Sequence, residues 1–285
     1  MMKNKLFVTD LDGTLLNSQI RLSDYTVKTL NQLIGKGLPI TFSTSRSFYT
    51  TSMMLKDVQF CLPCITYNGV YVMKADTGEV IRKNLLERVV FDDVRNIAKS
   101  FDMKPYIFGK TCDQVEKLVY EEPDNSAQIQ FLDERIKRND KRLTKADASV
   151  GDLDELININ FLYPLERIHK LEGILRSKYE KQVSIKVIKD IYNEGFYTLE
   201  VSNKDANKGK MLEYVANLLG VNMKDITVFG DQANDKEMFD LAGTKIAVNN
   251  ASEKLKEMAD KVIESNDCDG VAKYLREVWE NDIKR

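Results

Sequence analysis

Short apolar runs alternate with amphipathic helical stretches at both ends of this chain. The first run, residues 5–9 (KLFVT), stops at the polar segment DLDGT, as a buried strand stops at the edge of a sheet. After Ser23, a candidate N-cap, apolar residues recur at helical spacing until Gly35 and Gly37, and residues 38–43 (LPITFS) follow as a second strand. This strand, helix, strand order predicts a parallel crossover unit.

The alternation of strands and helices stops in the middle of the chain and then resumes. A third strand (CITY) and a hairpin in VYVMKADTGEVIRKN lead into a stretch where helices and strands no longer alternate. Alternation resumes with a helix from about Lys208 to Leu219, which ends at Gly220, and a strand DITVFG. We therefore expect an α/β fold, a doubly wound and mostly parallel sheet of residues 1–82 and 192–285, with residues 83–191 inserted as an α+β domain.

Composition is that of an ordinary globular protein. Hydrophobic residues make up 43% and charged residues 30% of the 285 residues, and this length predicts two domains.

Lys and Arg number 42 against 44 Asp and Glu, so the formal net charge of −2 creates no field that attracts nucleic acid or anionic lipid. No apolar run reaches the ~18 residues of a membrane helix, and the start MMKNKLFVTD lacks the ~7–15 apolar residues of a signal peptide. We expect a cytoplasmic monomer or weak homodimer, with neither nucleic acid nor membrane as a partner.

The single histidine and the C-x-x-C cysteines favour structural roles over catalytic ones. His169 is the single histidine of the sequence and flanks the apolar stripe of a helix that follows Pro164, which favours a surface position and argues against triads and multi-histidine metal sites. Cys61 and Cys64 form a C-x-x-C typical of a redox pair or half a zinc site, but without a second such pair buried structural thiols are favoured. The mixed charges of residues 133–147 favour a solvated helix or loop over a nucleic-acid contact. The chemistry must therefore use carboxylates, lysine and hydroxyls.

Two acidic clusters follow apolar runs at predicted strand ends. In DLDGTLL, Asp10 and Asp12 are two residues apart, so in extended backbone their side chains leave on one face. In GDQAND, Asp231 and Asp235 follow the run DITVF. Either cluster alone is also compatible with a polar turn. Open α/β sheets bind ligands at the carboxyl ends of their strands, so we expect the clusters to meet there around a hard cation, and oxygen ligands of this kind suit Mg²⁺.

Candidate partners for a phosphate occur at two further places. Thr44 and Ser45 follow the second strand and offer hydroxyl and amide donors, although an ordinary helix N-cap would have the same residues. Lys208 begins a helix, where the helix dipole disfavours positive charge, so its position indicates a functional role, although a solvated lysine is also compatible with it. Phosphoryl transfer needs positive charge and donors on several sides, which these residues could supply.

Taken in order, DLDGTLL, the strand end with Thr44, Lys208 and GDQAND resemble the four motifs of the haloacid dehalogenase superfamily. The segments TYNG, GDxxNDxxM, AVNNA and NDCDGVAKYL resemble its Cof-type sugar-phosphatase branch, which carries a large α/β cap between the second and third motifs. The resemblance covers essentially the whole chain and implies a Rossmann-like core with that cap. One departure is visible, because the branch usually has Thr-Gly-Arg where this chain has Thr44, Ser45 and Arg46.

The resemblance implies a Mg²⁺-dependent phosphatase that acts on small phosphorylated metabolites such as sugar phosphates. Asp10 would be the nucleophile that forms an aspartyl-phosphate, and Asp12 would be the acid and base, carrying a proton in the first step. Lys208 would be catalytic and would also bind phosphate. The implied metal set is Asp10, the backbone carbonyl of Asp12, Asp231 and, in support, Asp235; the implied phosphate set is Leu11 through its amide, Thr44, Ser45, Lys208 and Asn234.

Three alternatives stay open at this point. A phosphotransferase or mutase would pass the phosphoryl group to a second hydroxyl instead of water. A regulator would bind a phosphorylated metabolite tightly without releasing phosphate. A redox protein would depend on both Cys61 and Cys64.

Overall fold

The structure is a computed structural model that describes residues 4–146, 150–190 and 192–283. The chain divides into two compact units. Residues 1–83 and 206–285 form the core unit, and residues 84–205 form the inserted unit. The sequence placed the second boundary between residues 191 and 192, of which 191 lies outside the described residues. The boundary lies later because the strand Phe196–Asn203 pairs with strands of the inserted unit.

The strands are numbered along the chain as β1 (Leu6–Thr9), β2 (Ile40–Phe42), β3 (Pro63–Thr66), β4 (Tyr71–Lys74), β5 (Val80–Lys83), β6 (Tyr106–Lys110), β7 (Glu116–Tyr120), β8 (Leu143–Lys145), β9 (Glu155–Pro164), β10 (Val183–Lys189), β11 (Phe196–Asn203), β12 (Ile226–Gly230), β13 (Thr244–Val248) and β14 (Lys261–Ile263). The α-helices are α1 (Asp24–Gly35), α2 (Phe48–Met54), α3 (Arg88–Lys99), α4 (Ser126–Lys137), α5 (Leu165–Tyr179), α6 (Lys208–Leu219), α7 (Lys236–Phe239), α8 (Glu253–Met258) and α9 (Gly270–Ile283).

A parallel sheet with the strand order β14-β13-β12-β1-β2 forms the centre of the core unit. Every residue of β1 is buried, which explains why its sequence is a continuous apolar run and does not alternate. The helices α1 and α9 pack against each other, and α6 packs against α7 and β3. This is the doubly wound, Rossmann-like α/β architecture that the sequence predicted.

Two helix ends of the core unit are formed by the capping residues that the sequence predicted. The side chain of Ser23 caps α1 by accepting a hydrogen bond from the N–H of Thr26. Helix α6 ends at Gly220, whose φ of +67° is the left-handed conformation that glycine adopts without strain. The predicted hairpin is also present, because β4 pairs antiparallel with β5 and with β3.

The inserted unit contains a second sheet, with the order β10-β11-β9-β6-β7-β8. Its pairs are antiparallel except that β7 and β8 run parallel. Apolar residues of α3 and α5 pack on one face of this sheet, and those of α4 pack on the other. His169 is exposed on α5, as predicted.

The charged segment near the middle of the inserted unit differs in part from its prediction. Residues 133–146 include the end of α4 and the strand β8, which the sequence did not predict, and residue 147 lies outside the described residues. The prediction missed β8 because its partner β7 lies more than twenty residues earlier, as the register pair Leu118 and Leu143 shows. Within the described part of the chain, no helix is both long and apolar enough to cross a membrane.

Candidate active site

Asp10 and Asp231 lie at the carboxyl ends of two paired strands. Asp10 follows β1 directly, and Asp231 follows β12 directly. The register pairs Thr9 with Phe229, and the N–H of Asp10 donates to the carbonyl of Phe229 over 3.0 Å. Both aspartates are buried, with 4% and 6% of their surface exposed. The two strand ends therefore meet at one sheet edge, as the sequence predicted.

Asp235 completes a group of three carboxylates. Asp10, Asp231 and Asp235 each offer an oxygen, and these oxygens lie within 4.8 Å of one another. Oδ2 of Asp235 accepts hydrogen bonds from the N–H groups of Asp231 (3.0 Å) and Gln232 (3.3 Å), which fixes its orientation. The hydroxyl of Thr14 donates to Oδ1 of Asp231 over 3.3 Å. The arrangement is an oxygen-rich site of the kind that hard cations occupy.

Lys208 is fully buried and contacts two of these carboxylates. It is the first residue of α6, directly after the N-cap Asn207. Its Nζ donates to Oδ1 of Asp10 over 2.6 Å and to Oδ1 of Asp235 over 2.8 Å. The neighbouring anions account for a lysine at a helix N-terminus, and solvation as an explanation is excluded because the side chain has no exposure.

The site contains more negative charge than its lysine balances. Burial, together with the charge of Asp235, raises the pKa of Asp10 well above its usual range against the opposing effect of Lys208. Burial and Asp235 raise the pKa of Asp231 to about 7. Burial alone would lower the pKa of Lys208. The negative charges of Asp10 and Asp235 outweigh this effect, so the pKa of the ammonium is raised. Three carboxylates against one ammonium leave two formal negative charges, which is the charge that a divalent cation neutralises.

Gly13 brings the DLDGT turn close to Asp231. Its φ is +72°, and a Cβ at this position would lie 2.9 Å from Cγ of Asp231 and closer still to Oδ2. The turn is also held from the C-terminal part of the chain, because the amide of Asn250 donates to the carbonyl of Gly13 (2.7 Å) and that of Asn266 donates to the carbonyl of Leu16 (2.9 Å). These asparagines lie in the AVNNA and SNDCDG segments, for which the sequence suggested no such role.

The carboxylate of Asp12 pairs with Arg46 and does not join the three-carboxylate group, although strand alternation predicted that Asp10 and Asp12 would converge. Its two oxygens accept hydrogen bonds from Arg46, one of them from Nε over 2.7 Å, and 40% of its side chain is exposed. The reason is that β1 ends at Thr9 and the chain then turns, so that three successive N–H groups donate to the carbonyl of Leu11. Among the described residues, the carboxylate of Asp12 is not part of the three-carboxylate group.

The segment that follows β2 lies beside the end of β1. The N–H of Ser43 donates to the carbonyl of Thr9 (2.9 Å), and the N–H of Thr44 donates to that of Ile65 (2.9 Å). Thr44 is fully buried, whereas Ser45 is exposed. Neither residue caps α2, because Ser47 does so by accepting from the N–H of Thr50. The helix-cap interpretation of Thr44 and Ser45 is therefore wrong, and a phosphate-binding role stays a prediction.

The remaining predicted phosphate contacts lie near the same strand ends. Leu11 directly follows Asp10 and is fully buried. Asn234 is half-buried in the 3-10 turn Ala233–Asp235 that follows β12. Their contacts with phosphate stay predictions.

A close backbone approach links the TYNG segment to the helix that carries Lys208. Gly69 has a φ of +99°, and a Cβ there would lie 2.6 Å from the backbone nitrogen of Asn207. The same segment contacts the residues after β2, since the N–H groups of Tyr67 and Asn68 donate to the carbonyls of Arg46 and Thr44 (both 2.9 Å). The sequence missed this linking role, although a glycine after an asparagine was the available signal.

The two cysteines of the C-x-x-C segment have different environments. All four are free thiols, and Cys61 is exposed whereas Cys64 is buried in β3. Burial raises the pKa of the Cys64 thiol to about 12, which keeps it protonated and unreactive. This supports the interpretation of Cys64 as a buried structural thiol, whereas the same prediction is wrong for Cys61, which is exposed.

Comparisons with known proteins agree over nearly the whole chain. A family model described as haloacid dehalogenase-like hydrolase matches residues 7–275. The 5-amino-6-(5-phospho-D-ribitylamino)uracil phosphatase YitU of Bacillus subtilis is 26% identical over 279 residues, which span 97% of this chain and 98% of the relative. HMP-PP phosphatase of Serratia proteamaculans is 26% identical over 274 residues, which span 95% and 94% of the two chains.

Solved structures show the same fold. A protein of Thermotoga maritima superimposes with a TM-score of 0.76 at 27% identity, covering 96% of this chain and 97% of the other. A haloacid dehalogenase-like hydrolase from Bacteroides thetaiotaomicron superimposes with a TM-score of 0.79 at 22% identity, covering 96% and 99%.

Proposed function

Because the chain belongs to the haloacid dehalogenase-like hydrolase family and is a phosphatase, we propose that it hydrolyses small phosphorylated metabolites in a Mg²⁺-dependent reaction through an aspartyl-phosphate on Asp10. The observation that carries the proposal is the buried contact of Asp10 with Lys208 inside a group of three carboxylates. This arrangement combines a carboxylate nucleophile with a positive charge that is already in place, which is what phosphoryl transfer requires.

The proposed reaction has two displacement steps. Lys208 donates to Oδ1 of Asp10, so we assign the attack on phosphorus to Oδ2. The bond from phosphorus to the leaving oxygen breaks, and Asp12 donates a proton to that oxygen. Water then attacks the aspartyl-phosphate, Asp12 accepts the proton of the water, and inorganic phosphate leaves with Asp10 regenerated.

The carboxylates fit a divalent metal ion. Asp10, Asp231 and the backbone carbonyl of Asp12 would hold Mg²⁺, which when bound would neutralise charge on the phosphoryl oxygens. Both oxygens of Asp235 already accept hydrogen bonds, one from Lys208 and the other from backbone N–H groups. Asp235 therefore supports the site through these neighbours and is not a direct ligand in this proposal.

Phosphate would be bound by groups around the same sheet edge. Lys208 supplies the positive charge, and the hydroxyls of Thr44 and Ser45, the side chain of Asn234 and the amide of Leu11 would supply donors. The names of the Bacillus and Serratia relatives, which refer to phosphorylated small molecules, support a substrate of that class. Sugar phosphates are the substrates that we would test first.

The proposal is tested by replacing Asp10 with asparagine. Asp10→Asn removes the nucleophile, so phosphate release from a panel of sugar phosphates and phosphorylated cofactors with Mg²⁺ should fall at least ~10³-fold. The fold should remain, because Lys208 keeps Asp235 as a charged partner, and the unfolding temperature checks this. The matched control is Asp24→Asn at an exposed position of α1, which should keep wild-type activity.

Three outcomes of this experiment would decide against the proposal. Undiminished phosphate release by Asp10→Asn would exclude the nucleophile. Phosphate that appears on an added sugar instead of in water would identify a transferase. Tight binding of a metabolite by the wild type, with no release from any member of the panel, would identify a regulator.

A further inference from the structure

Arg46 forms a two-point ion pair with Asp12, which lies two residues after the proposed nucleophile in the sequence. Nε of Arg46 donates to Oδ2 of Asp12 over 2.7 Å, and a terminal nitrogen donates to Oδ1. A guanidinium that meets both oxygens of a carboxylate fixes the plane of that carboxylate as well as its position. A carboxylate has about four lone-pair sites, so this pairing leaves others for a proton or a leaving oxygen.

The backbone on each side of this pair is independently anchored. The N–H of Arg46 donates to the hydroxyl of Thr44 (3.1 Å), and its carbonyl accepts from the N–H of Tyr67 (2.9 Å). Asp12 lies in the turn that Leu11 holds through its carbonyl. Because the backbone is held on both sides and the guanidinium of Arg46 contacts both oxygens of Asp12, the Asp12 side chain has one favoured orientation.

The ion pair is partly accessible to solvent. The side chains of Arg46 and Asp12 are 20% and 40% exposed, so solvent weakens the Coulomb attraction between them. The bidentate contact joins two anchored segments at the reactive edge of the sheet, where it fixes the orientation of the Asp12 carboxylate. Asp12 is the residue that is proposed to transfer the proton to the leaving oxygen.

We propose that Arg46 is a positioning residue that orients Asp12 for proton transfer to the leaving oxygen. The inference rests on the proposed roles of Asp10 and Asp12. Arg46 acts in this scheme through Asp12 and does not bind the transferred phosphate. The chemistry predicts a specific kinetic signature, because a general acid matters only when the leaving oxygen needs a proton.

The experiment compares two leaving groups in the full-length protein with Mg²⁺. p-Nitrophenyl phosphate releases a stabilised phenolate that needs no proton, whereas the best sugar or polyol phosphate of the panel releases an alkoxide that does. Arg46→Gln should lower kcat on the alkyl phosphate by about 10- to 100-fold, within the ~10²–10⁴-fold range of general acid catalysis, and change kcat on the aryl phosphate by less than about threefold. Arg46→Lys keeps the positive charge but lacks the planar guanidinium that contacts both oxygens of Asp12, so it should recover only part of the loss.

A double-mutant cycle shows whether the effect passes through Asp12. In an Asp12→Asn background, Arg46→Gln should have almost no further effect on the alkyl phosphate. The matched control is Arg21→Gln at an exposed site of the same unit, which should leave both rates unchanged. The unfolding temperature of each variant is measured alongside.

Equal losses on both substrates would overturn the inference in favour of a phosphate-binding role, and so would additive losses in the Asp12→Asn background. An unchanged kcat on the alkyl phosphate would overturn it as well. Failure of the proposed function looks different, because Asp10→Asn would then retain phosphate release whatever the behaviour of Arg46.

Discussion

Nζ of Lys208 lies 2.6 Å from Oδ1 of Asp10, and the two side chains are at most 5% exposed. This contact joins the start of α6 to the end of β1, two elements almost two hundred residues apart in sequence. Because water does not screen it, the charge of Lys208 acts on Asp10 at close to its full strength, and it requires no rearrangement before the reaction.

Removing this charge should be costly for both stability and activity. Lys208→Met leaves Asp10 and Asp235 without their ammonium partner, and breaking a buried ion pair typically destabilises a protein by about 3–5 kcal/mol. We expect this loss in the free energy of unfolding at pH 8, measured by urea denaturation, and no detectable phosphate release. The loss should be smaller at pH 5, where the carboxylates accept protons. Lys28→Met, at an exposed position of α1, is the control and should change stability by less than about 0.5 kcal/mol.

Gly13 should be needed for metal binding more than for folding. Gly13→Ala places a methyl group against the carboxylate of Asp231, so the affinity for Mg²⁺ measured by calorimetry should fall at least ~10-fold. Gly37→Ala is a matched control, since Gly37 also has positive φ but nothing within 4 Å of its added Cβ. Both variants should lose about 1–2 kcal/mol from backbone strain. Equal Mg²⁺ affinity in the two would contradict the assigned role of Asp231.

Gly69 should control the placement of Lys208. A methyl group there meets the backbone of Asn207, so Gly69→Ala must shift the start of α6 and with it the ammonium that contacts Asp10. Displacements of about 1 Å at a reactive group lower rates by roughly 100-fold, so kcat should fall on that order. Gly220→Ala, at positive φ with open space around it, serves as the comparison and should retain kcat. If both variants keep full activity, the contact does not position Lys208.

The stabilisation by Mg²⁺ should increase with pH. The pKa of Asp231 is raised from an ordinary value of 3.8 to about 7, so without metal its contribution to the free energy of unfolding falls as pH rises from about 4 to about 7 and is level above that. The raised pKa of Asp10 acts in the same direction. A bound cation neutralises the ionised carboxylates, so the Mg²⁺-induced rise in unfolding temperature should be larger at pH 8 than at pH 5.5. Asp231→Asn should largely remove this difference, and a pH-independent rise in the wild type would refute the prediction.

Features that depend on neighbouring residues could be predicted from the amino-acid sequence. The apolar runs of β1 and β12, the cap Ser23 and the end of α6 at Gly220 were all readable, because burial pattern, capping and left-handed backbone are local properties. The meeting of Asp10 and Asp231 was also predictable, since parallel strands end at a common edge.

The pairing of side chains from distant segments could be identified only in the folded protein. Strand alternation predicted that Asp12 would join Asp10, but the turn after Thr9 directs it to Arg46. The strand β11 belongs to the inserted unit because β9 and β10 are its partners, so the domain boundary predicted before residue 192 was too early. Lys208 was ambiguous in sequence, since its burial and charge partners come from β1 and from the turn after β12. The physical reason is common to all three: hydrogen bonds, ion pairs and burial depend on distances in space, and a linear pattern specifies those distances only within a helix turn or a strand.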